Sequence, residues 1–171
     1  FFLFSFKVHE KSVLLPLMPM TVLMAGKHGL SKNVRAWVGF ANLLGVWTMF
    51  PLLQRVDLRI PYYVLSLLWA YLLGLPPTSF AVYKQDGNAT FAGFATASLH
   101  TSFYFVMAVW HVAESFLPPP PGKPDLWVVL NVGIGAVGFG ICYLWCFVTL
   151  VAESGLLDFS SKTEKRKAKT Q

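Results

Sequence analysis

The apolar residues of this chain are gathered into long runs, and they do not alternate with polar residues at the period of an amphipathic helix or strand. A hydrocarbon core about 30 Å thick takes about 20 helical residues to cross. The pattern therefore predicts an all-α protein, a polytopic transmembrane helical bundle with about five spans within residues 12–152. The predicted spans are 12–25, 36–53, 61–83, 91–117 and 126–152.

The first predicted span, 12–25, is shorter than the others and contains Pro16 and Pro19. Proline removes a helical hydrogen bond and clashes with the preceding turn. The prolines would kink this span unless neighbouring protein satisfies the freed carbonyl groups, and a broken or partly re-entrant helix is the alternative.

The composition agrees with a membrane protein. Hydrophobic residues make up 55% of the 171 residues and charged residues only 13%, which is more apolar surface than a soluble domain of this size buries. The net charge of +6 does not indicate nucleic-acid binding, because five of the fourteen lysines and arginines lie in the final ten residues and the others lie near the ends of the spans.

The distribution of lysine and arginine predicts the orientation. Short loops join the spans, so consecutive helices run antiparallel. With a cytosolic basic tail, residues 153–171, the cytosolic side carries nine basic residues and the lumenal side five. The nine are Lys27, Lys32, Arg35, Lys84, Lys162, Lys165, Arg166, Lys167 and Lys169, and the five are Lys7, Lys11, Arg55, Arg59 and Lys123. Residues 1–11, the loop around Arg55 and the proline-rich loop 118–125 are then lumenal.

The tail ends in Lys167-Ala168-Lys169-Thr170-Gln171, which resembles the Lys-x-Lys-x-x retrieval signal of endoplasmic-reticulum membrane proteins. The alternative is a basic segment held by anionic lipid. A glycosylation sequon at Asn88 falls in a predicted cytosolic loop, where it would not be modified. Occupancy of Asn88 would therefore reverse the orientation.

Two patterns in the last predicted span resemble known kinds of site, a dinucleotide-binding motif and a disulfide, but we expect neither. Gly133-Ile134-Gly135-Ala136-Val137-Gly138 matches the dinucleotide fingerprint, but it lies inside a continuous apolar run and lacks the preceding strand. We expect these small residues to let helices approach closely. Cys142 and Cys146 lie four apart on one helix, so a disulfide between them is not expected.

The strongest candidate site is the lumenal triplet His9, Glu10 and Lys11 at the entrance to the first apolar run. Ionisable groups at a membrane boundary are costly to bury and are often functional. Lysine supplies a positive charge for a phosphate, histidine a donor, and glutamate can orient both. The alternative is an interfacial anchor, in which Lys11 extends to the lipid headgroups.

The fourth span carries three further polar candidates. His111 and Glu114 lie three residues apart on one helix face near the predicted lumenal end. They could form a buried polar pair that binds substrate, but we favour a structural hydrogen-bonded pair that faces other helices. For His100, deeper in the span, we expect an interhelical hydrogen bond. Asp125, after Pro124, is a predicted N-cap of the last helix.

Three segments resemble one family. Residues 1–15, with Val8-His9-Glu10-Lys11 at their centre, the stretch Met49-Phe50-Pro51-Leu52-Leu53 and the stretch 119–126 are similar to the dolichyl-phosphate-glucose-dependent glucosyltransferases of asparagine-linked glycosylation. Phe6-Lys7 and Lys123-Pro124-Asp125-Leu126 favour the members that add the first glucose, and those that add the second are the alternative. The chain starts without Met or the features of a signal peptide, so we expect the C-terminal part of such a protein.

The resemblance implies a GT-C membrane fold in the endoplasmic reticulum and an inverting transfer of glucose from dolichyl phosphate glucose to a lipid-linked oligosaccharide. It implies that the general base lies upstream of this chain. It also implies that His9 contacts the donor phosphate or glucose, and that Glu10 and Lys11 organise that wall of the binding site. It also implies no metal or other cofactor. A non-enzymatic transporter or structural subunit is the competing hypothesis, in which His111 and Glu114 would relay protons or ions.

Overall fold

The computed structural model describes residues 14–26, 31–84 and 91–154, and within these ranges its regular secondary structure is entirely helical. The α-helices are α1 (Leu14–Val22), α2 (Lys32–Thr48), α3 (Phe50–Arg55), α4 (Arg59–Leu73), α5 (Phe91–Phe116) and α6 (Leu126–Glu153). Two 3-10 helices cover Leu23–Ala25 and Ala81–Tyr83. The all-α prediction is therefore confirmed for the described residues. The triplet at His9, the sequon at Asn88 and the tail after residue 154 lie outside them.

The helices α5 and α6 are long and apolar enough to cross a membrane. They begin where the sequence predicts the fourth and fifth spans and end within one residue of the predicted ends. In the most apolar 18-residue stretch of each helix, only 11% (α5) and 22% (α6) is buried inside the described protein. The apolar side chains of both helices therefore mostly face outward. Such a surface suits contact with lipid. The other three spans and the GT-C arrangement stay predictions.

The first apolar run forms a short helix that changes its geometry. The helix α1 has nine residues and includes Pro19, and a 3-10 turn from Leu23 to Ala25 follows it directly. The Thr21 hydroxyl donates to the Leu17 carbonyl oxygen at 2.8 Å. The helix passes from Leu14 into the 3-10 turn without interruption, and its path across a bilayer stays a prediction.

The second run is divided into α2 and α3 at Met49 because of a proline. Pro51 lies in the first turn of α3 and cannot donate a backbone hydrogen bond to the residue four positions earlier, Trp47. The Asn131 side-chain amide, on α6, donates instead to the Trp47 carbonyl oxygen at 3.2 Å. A fully buried polar side chain thus satisfies the carbonyl that the proline leaves free.

The third run contains a shorter helix than the predicted span 61–83. The helix α4 has 15 residues, about 22 Å of length, and ends where Gly74 adopts a left-handed conformation with φ 70°. Pro76 and Pro77 follow, so the helix cannot resume at once. A turn then leads into the 3-10 helix at Ala81–Tyr83.

The described residues fall into two compact units, the first ending at Phe139 and the second beginning at Gly140. The core of the first unit surrounds α2, where Val38, Phe40, Leu44 and Trp47 have no exposed surface. A Cβ atom on Gly138 of α6 would lie 2.5 Å from the Leu44 Cδ2 atom. The prediction that the glycines of this helix permit close packing is therefore confirmed at Gly138. Cys142 and Cys146, in the second unit, are free thiols, as expected.

Hydrogen bonds join the helix ends that the predicted topology places on the same side. The Lys32 ammonium group, at the start of α2, donates to the Lys84 carbonyl oxygen at 2.7 Å, which connects two predicted cytosolic loops. At the other end, the Trp127 indole donates to the Leu117 carbonyl oxygen at 3.0 Å across the proline-rich loop. The structure thus agrees with antiparallel neighbours, and which end faces the lumen stays a prediction.

Candidate functional site

The helices α3, α4 and α5 bring a group of polar side chains together at the predicted lumenal end of the first unit. Tyr62 and Tyr63 lie in the first turns of α4, and His111 and Glu114 lie in the last two turns of α5. Gln54 belongs to α3, just before the loop that joins α3 and α4. We call these five residues the rim cluster.

His111 is the centre of the rim cluster because both of its ring nitrogens have tyrosine partners. The Tyr62 hydroxyl oxygen lies 2.8 Å from the His111 Nε2 atom, and the Tyr63 hydroxyl oxygen lies 3.3 Å from Nδ1. A neutral imidazole has one donor and one acceptor nitrogen, so the two tyrosines play opposite roles.

The burial of the two tyrosines decides which role each plays. Tyr62 is only 7% exposed, and His111 is the partner that the structure records for its hydroxyl group. A buried O–H needs an acceptor, so Tyr62 donates to Nε2 and the proton of His111 lies on Nδ1. That N–H donates to the Tyr63 hydroxyl oxygen, and the Tyr63 O–H remains available. Tyr63 is 41% exposed, and no further partner of this O–H is recorded among the described residues.

Glu114 has its own partner in the rim cluster. The Gln54 side-chain amide donates to the Glu114 Oε1 atom at 2.9 Å, which connects α3 to α5. Among the described residues, the structure records no ion pair of Glu114 with a lysine or arginine. His111 and Glu114 each bond to a side chain of another helix, and no hydrogen bond between the two of them is recorded among the described residues.

Aromatic rings fix the orientation of the imidazole. The Phe50 ring lies edge-on to it at 4.5 Å between centroids, and the Trp110 ring does so at 5.3 Å. The Trp110 indole donates to the Trp127 carbonyl oxygen at 3.0 Å, so this ring is itself held in place. The rim cluster is thus a rigid polar group on an aromatic base.

A cleft of about 180 Å³ opens beside the rim cluster, between α2, α4 and α5. Its lining is mostly apolar, and its polar side chains include Tyr62, Tyr63, Ser66 and His111. A second groove, of about 440 Å³, runs between α2 and α4 and is also mostly apolar. Both spaces suit a ligand with an apolar part and a small polar part.

His100 is packed in a different way, deep inside the unit. It has no exposed surface, its ring stacks on Phe40 at 4.3 Å between centroids, and its Nδ1 atom lies 3.1 Å from the Tyr83 hydroxyl oxygen. Tyr83 belongs to the second 3-10 helix, so the expected hydrogen bond to another element is confirmed. The Nε2 atom has no hydrogen-bond partner among the described residues.

Comparison with known proteins identifies the family. A model of the ALG6, ALG8 glycosyltransferase family matches residues 1–148. The chain belongs to this family. The match includes all the residues of the rim cluster and the triplet at His9.

Curated relatives give the same result. A probable dolichyl pyrophosphate Man9GlcNAc2 alpha-1,3-glucosyltransferase from Schizosaccharomyces pombe is 37% identical over 165 residues, covering 96% of this chain and 30% of that protein. The dolichyl pyrophosphate Man9GlcNAc2 alpha-1,3-glucosyltransferase of Saccharomyces cerevisiae is 32% identical, covering 86% of this chain and 30% of that protein. The mouse protein of the same name is 27% identical. The chain thus spans about 30% of the length of the first two relatives.

Membership in the ALG6, ALG8 family does not test the individual residues of the predicted site. His9, Glu10 and Lys11 lie outside the described residues, so their role in substrate binding stays a prediction. Within the described ranges, no three His, Cys, Asp or Glu side chains are grouped so that they could hold a metal ion. The absence of a cofactor also stays a prediction.

Sequence reasoning missed three members of the rim cluster: Gln54, Tyr62 and Tyr63. A usable signal was present, because paired tyrosines directly after the basic loop of Arg55 and Arg59 are typical of a membrane interface. The pattern could not reveal that their hydroxyl groups meet His111, which lies 48 residues further along the chain than Tyr63.

Proposed function

We propose that this chain is part of an endoplasmic-reticulum membrane enzyme that transfers glucose from dolichyl phosphate glucose to the lipid-linked oligosaccharide of protein N-glycosylation. The specific step is the addition of the first α-1,3-linked glucose to Man9GlcNAc2 on dolichyl pyrophosphate. The observation that carries this proposal is the match to the ALG6, ALG8 family over residues 1–148, together with relatives named for this acceptor. The enzyme that adds the second glucose is the alternative within the family.

The transfer is inverting in this proposal, so it needs a general base to deprotonate the acceptor hydroxyl and a group to stabilise the departing phosphate. We expect the base in a part of the enzyme outside this chain. His9 contacts the phosphate or glucose of the donor, and Glu10 and Lys11 organise the wall around it. A lipid monophosphate leaving group does not require the metal that enzymes use on nucleotide pyrophosphates, so no metal takes part.

The described structure supports this proposal through the position of its polar groups. The rim cluster lies at the same end of the helices as the loop around Arg55 and the proline-rich loop, both predicted to be lumenal. Substrates that carry a sugar on a lipid present their polar part at the membrane surface. A helical unit with outward apolar faces and polar groups at one end suits such substrates.

A transfer assay tests the proposed step. Membranes from cells that lack the endogenous activity would receive the full-length protein, dolichyl phosphate glucose and either of two acceptors, Man9GlcNAc2 or Glc1Man9GlcNAc2 on dolichyl pyrophosphate. We expect a product one hexose heavier from the first acceptor only. Transfer to the second acceptor alone would favour the sister enzyme, and no transfer to either would contradict the glucosyltransferase function.

A pair of histidine variants tests the role of the triplet. We expect His9→Ala to lower the rate by about 100-fold or more, because a donor to a charged transition state is lost. His28→Ala is the matched control, since it removes a histidine from the predicted cytosolic face, and it should leave the rate unchanged. Equal rates for both variants would leave His9 as an anchor only.

A further inference from the structure

The rim cluster has more hydrogen-bonding capacity than its internal contacts use. Tyr62, His111 and Tyr63 form a chain of donors that ends in the free O–H of Tyr63. In such a chain each bond polarises the next, which strengthens the last donor. One turn further along α5, the Glu114 Oε1 atom accepts from Gln54, and no partner is recorded for its Oε2 atom among the described residues. The cluster therefore presents both a donor, the Tyr63 O–H, and an anionic acceptor, the Glu114 carboxylate.

An aromatic belt at the membrane interface does not explain this arrangement. Belt residues are single amphipathic side chains, each with its polar tip in the headgroup region. Here a carboxylate without a recorded ion pair is held by a neutral amide, and a half-buried imidazole is held by two hydroxyl groups. Removing such groups from water is costly, and a structural anchor does not require it.

A donor and a carboxylate beside aromatic rings are groups that recognise the hydroxyls of a pyranose ring. A carboxylate oxygen accepts from sugar hydroxyls, and a charged acceptor forms a stronger bond than a neutral one. An O–H such as that of Tyr63 suits a ring or hydroxyl oxygen as its acceptor, and an aromatic ring on a residue that is 41% exposed offers a surface for C–H groups. Two basic side chains are exposed on the adjoining helix ends, Arg55 at the end of α3 and Arg59 at the start of α4.

We propose that Tyr63 and Glu114, positioned by His111 and Gln54, form a subsite that binds the hydroxyl groups of a sugar in one of the two lipid-linked substrates. This inference rests on the proposed glucosyltransferase function. Tyr63 and Glu114 contact the sugar. Tyr62, His111 and Gln54 are positioning residues, because their bonds fix the direction of the donor and of the carboxylate.

The test measures KM and kcat for each substrate separately, in the full-length enzyme, with dolichyl phosphate glucose as donor and dolichyl pyrophosphate Man9GlcNAc2 as acceptor. We expect Tyr63→Phe to raise KM about 2- to 10-fold and Glu114→Gln about 10- to 100-fold, the losses for a neutral and a charged hydrogen bond. We expect kcat to stay within about twofold, since the sugar is held equally before and during the reaction. The substrate whose KM rises is the one whose sugar the subsite holds.

Tyr71→Phe is the matched control. It removes a hydroxyl from another exposed tyrosine of α4, two turns further from the rim cluster, and should leave both KM values unchanged. Thermal unfolding in detergent would establish that each variant is folded. Tyr63→Phe removes a single exposed oxygen, so it decides the question even if Glu114→Gln is unstable.

Unchanged KM values for both substrates in Tyr63→Phe would overturn the proposed subsite and leave an interfacial belt. That result differs from a failure of the proposed function, in which the unaltered enzyme would transfer no glucose. A fall in kcat with both KM values unchanged would also contradict the subsite, because it would indicate a role in chemistry rather than in sugar binding.

Discussion

The helix α5 carries two histidines in opposite surroundings. His100 and His111 are eleven residues apart, so they lie on nearly the same face and about 16 Å apart along the helix. His100 has no exposed surface, stacks on Phe40 and uses one nitrogen, whereas His111 is partly exposed and uses both. His100 contributes to packing. His111 determines which way the hydroxyl group of Tyr63 donates its hydrogen bond at the surface.

This contrast shows that residue type and helix face do not determine a role. Both histidines bond to tyrosines, but the partner of His100, Tyr83, is buried, while Tyr63 beside His111 is open to the surroundings. What differs is whether the chain of hydrogen bonds ends inside or at the rim. Variants should therefore affect stability most in the interior, and affect substrate binding most at the rim.

The largest effect on stability is expected at His100. His100→Ala removes a ring that is stacked on Phe40 and one hydrogen-bond partner of the Tyr83 hydroxyl, so we expect a loss of about 2–5 kcal/mol in unfolding free energy. Thermal unfolding of the purified full-length protein in detergent measures this. His28→Ala, in a predicted loop, is the control, and an equal effect of both variants would contradict an interior role for His100.

A somewhat smaller effect is expected where α6 packs against the interior. Gly138→Ala would place a methyl group 2.5 Å from Leu44 Cδ2 and 3.1 Å from Phe103 Cε1, so we expect a loss of about 1–3 kcal/mol. Gly133→Ala is the control, because nothing lies within 4 Å of a Cβ atom there. If both variants unfold at the same temperature, α6 does not pack as closely as described.

The two tyrosines of the rim cluster should differ from each other. Tyr62→Phe leaves His111 Nε2 without its partner, so we expect a loss of about 1–3 kcal/mol. For Tyr63→Phe, at an exposed position, we expect a change within about 0.5 kcal/mol. The same unfolding assay compares them. The reverse order would contradict the assigned hydrogen-bond directions.

The smallest effect on stability is expected for Glu114→Gln. The amide oxygen of the new side chain can still accept from Gln54, so the unfolding free energy should change by less than about 1 kcal/mol. Glu114→Leu, which cannot accept, is the comparison and should be less stable. A large loss of unfolding free energy in Glu114→Gln would mean that the negative charge of Glu114 stabilises the fold. The rim cluster would then matter for stability as much as the interior does.

The sequence by itself determined the long apolar helices and the family. The lengths of the last two runs determined α5 and α6 almost to the residue, because a helix that meets lipid must be continuously apolar. The three resembling segments indicated the family to which the chain belongs. The break between α2 and α3 was not predicted, although Pro51 lies in the first turn of α3.

Only the tertiary structure decided where the shorter helices end and which polar side chains meet. The end of α4 depends on Gly74 and the turn that follows, whereas hydropathy alone continues through them. The rim cluster joins Gln54 to Glu114 across 60 residues and Tyr62 to His111 across 49. Contacts over such separations depend on how the helices pack, and no local pattern in the chain encodes them.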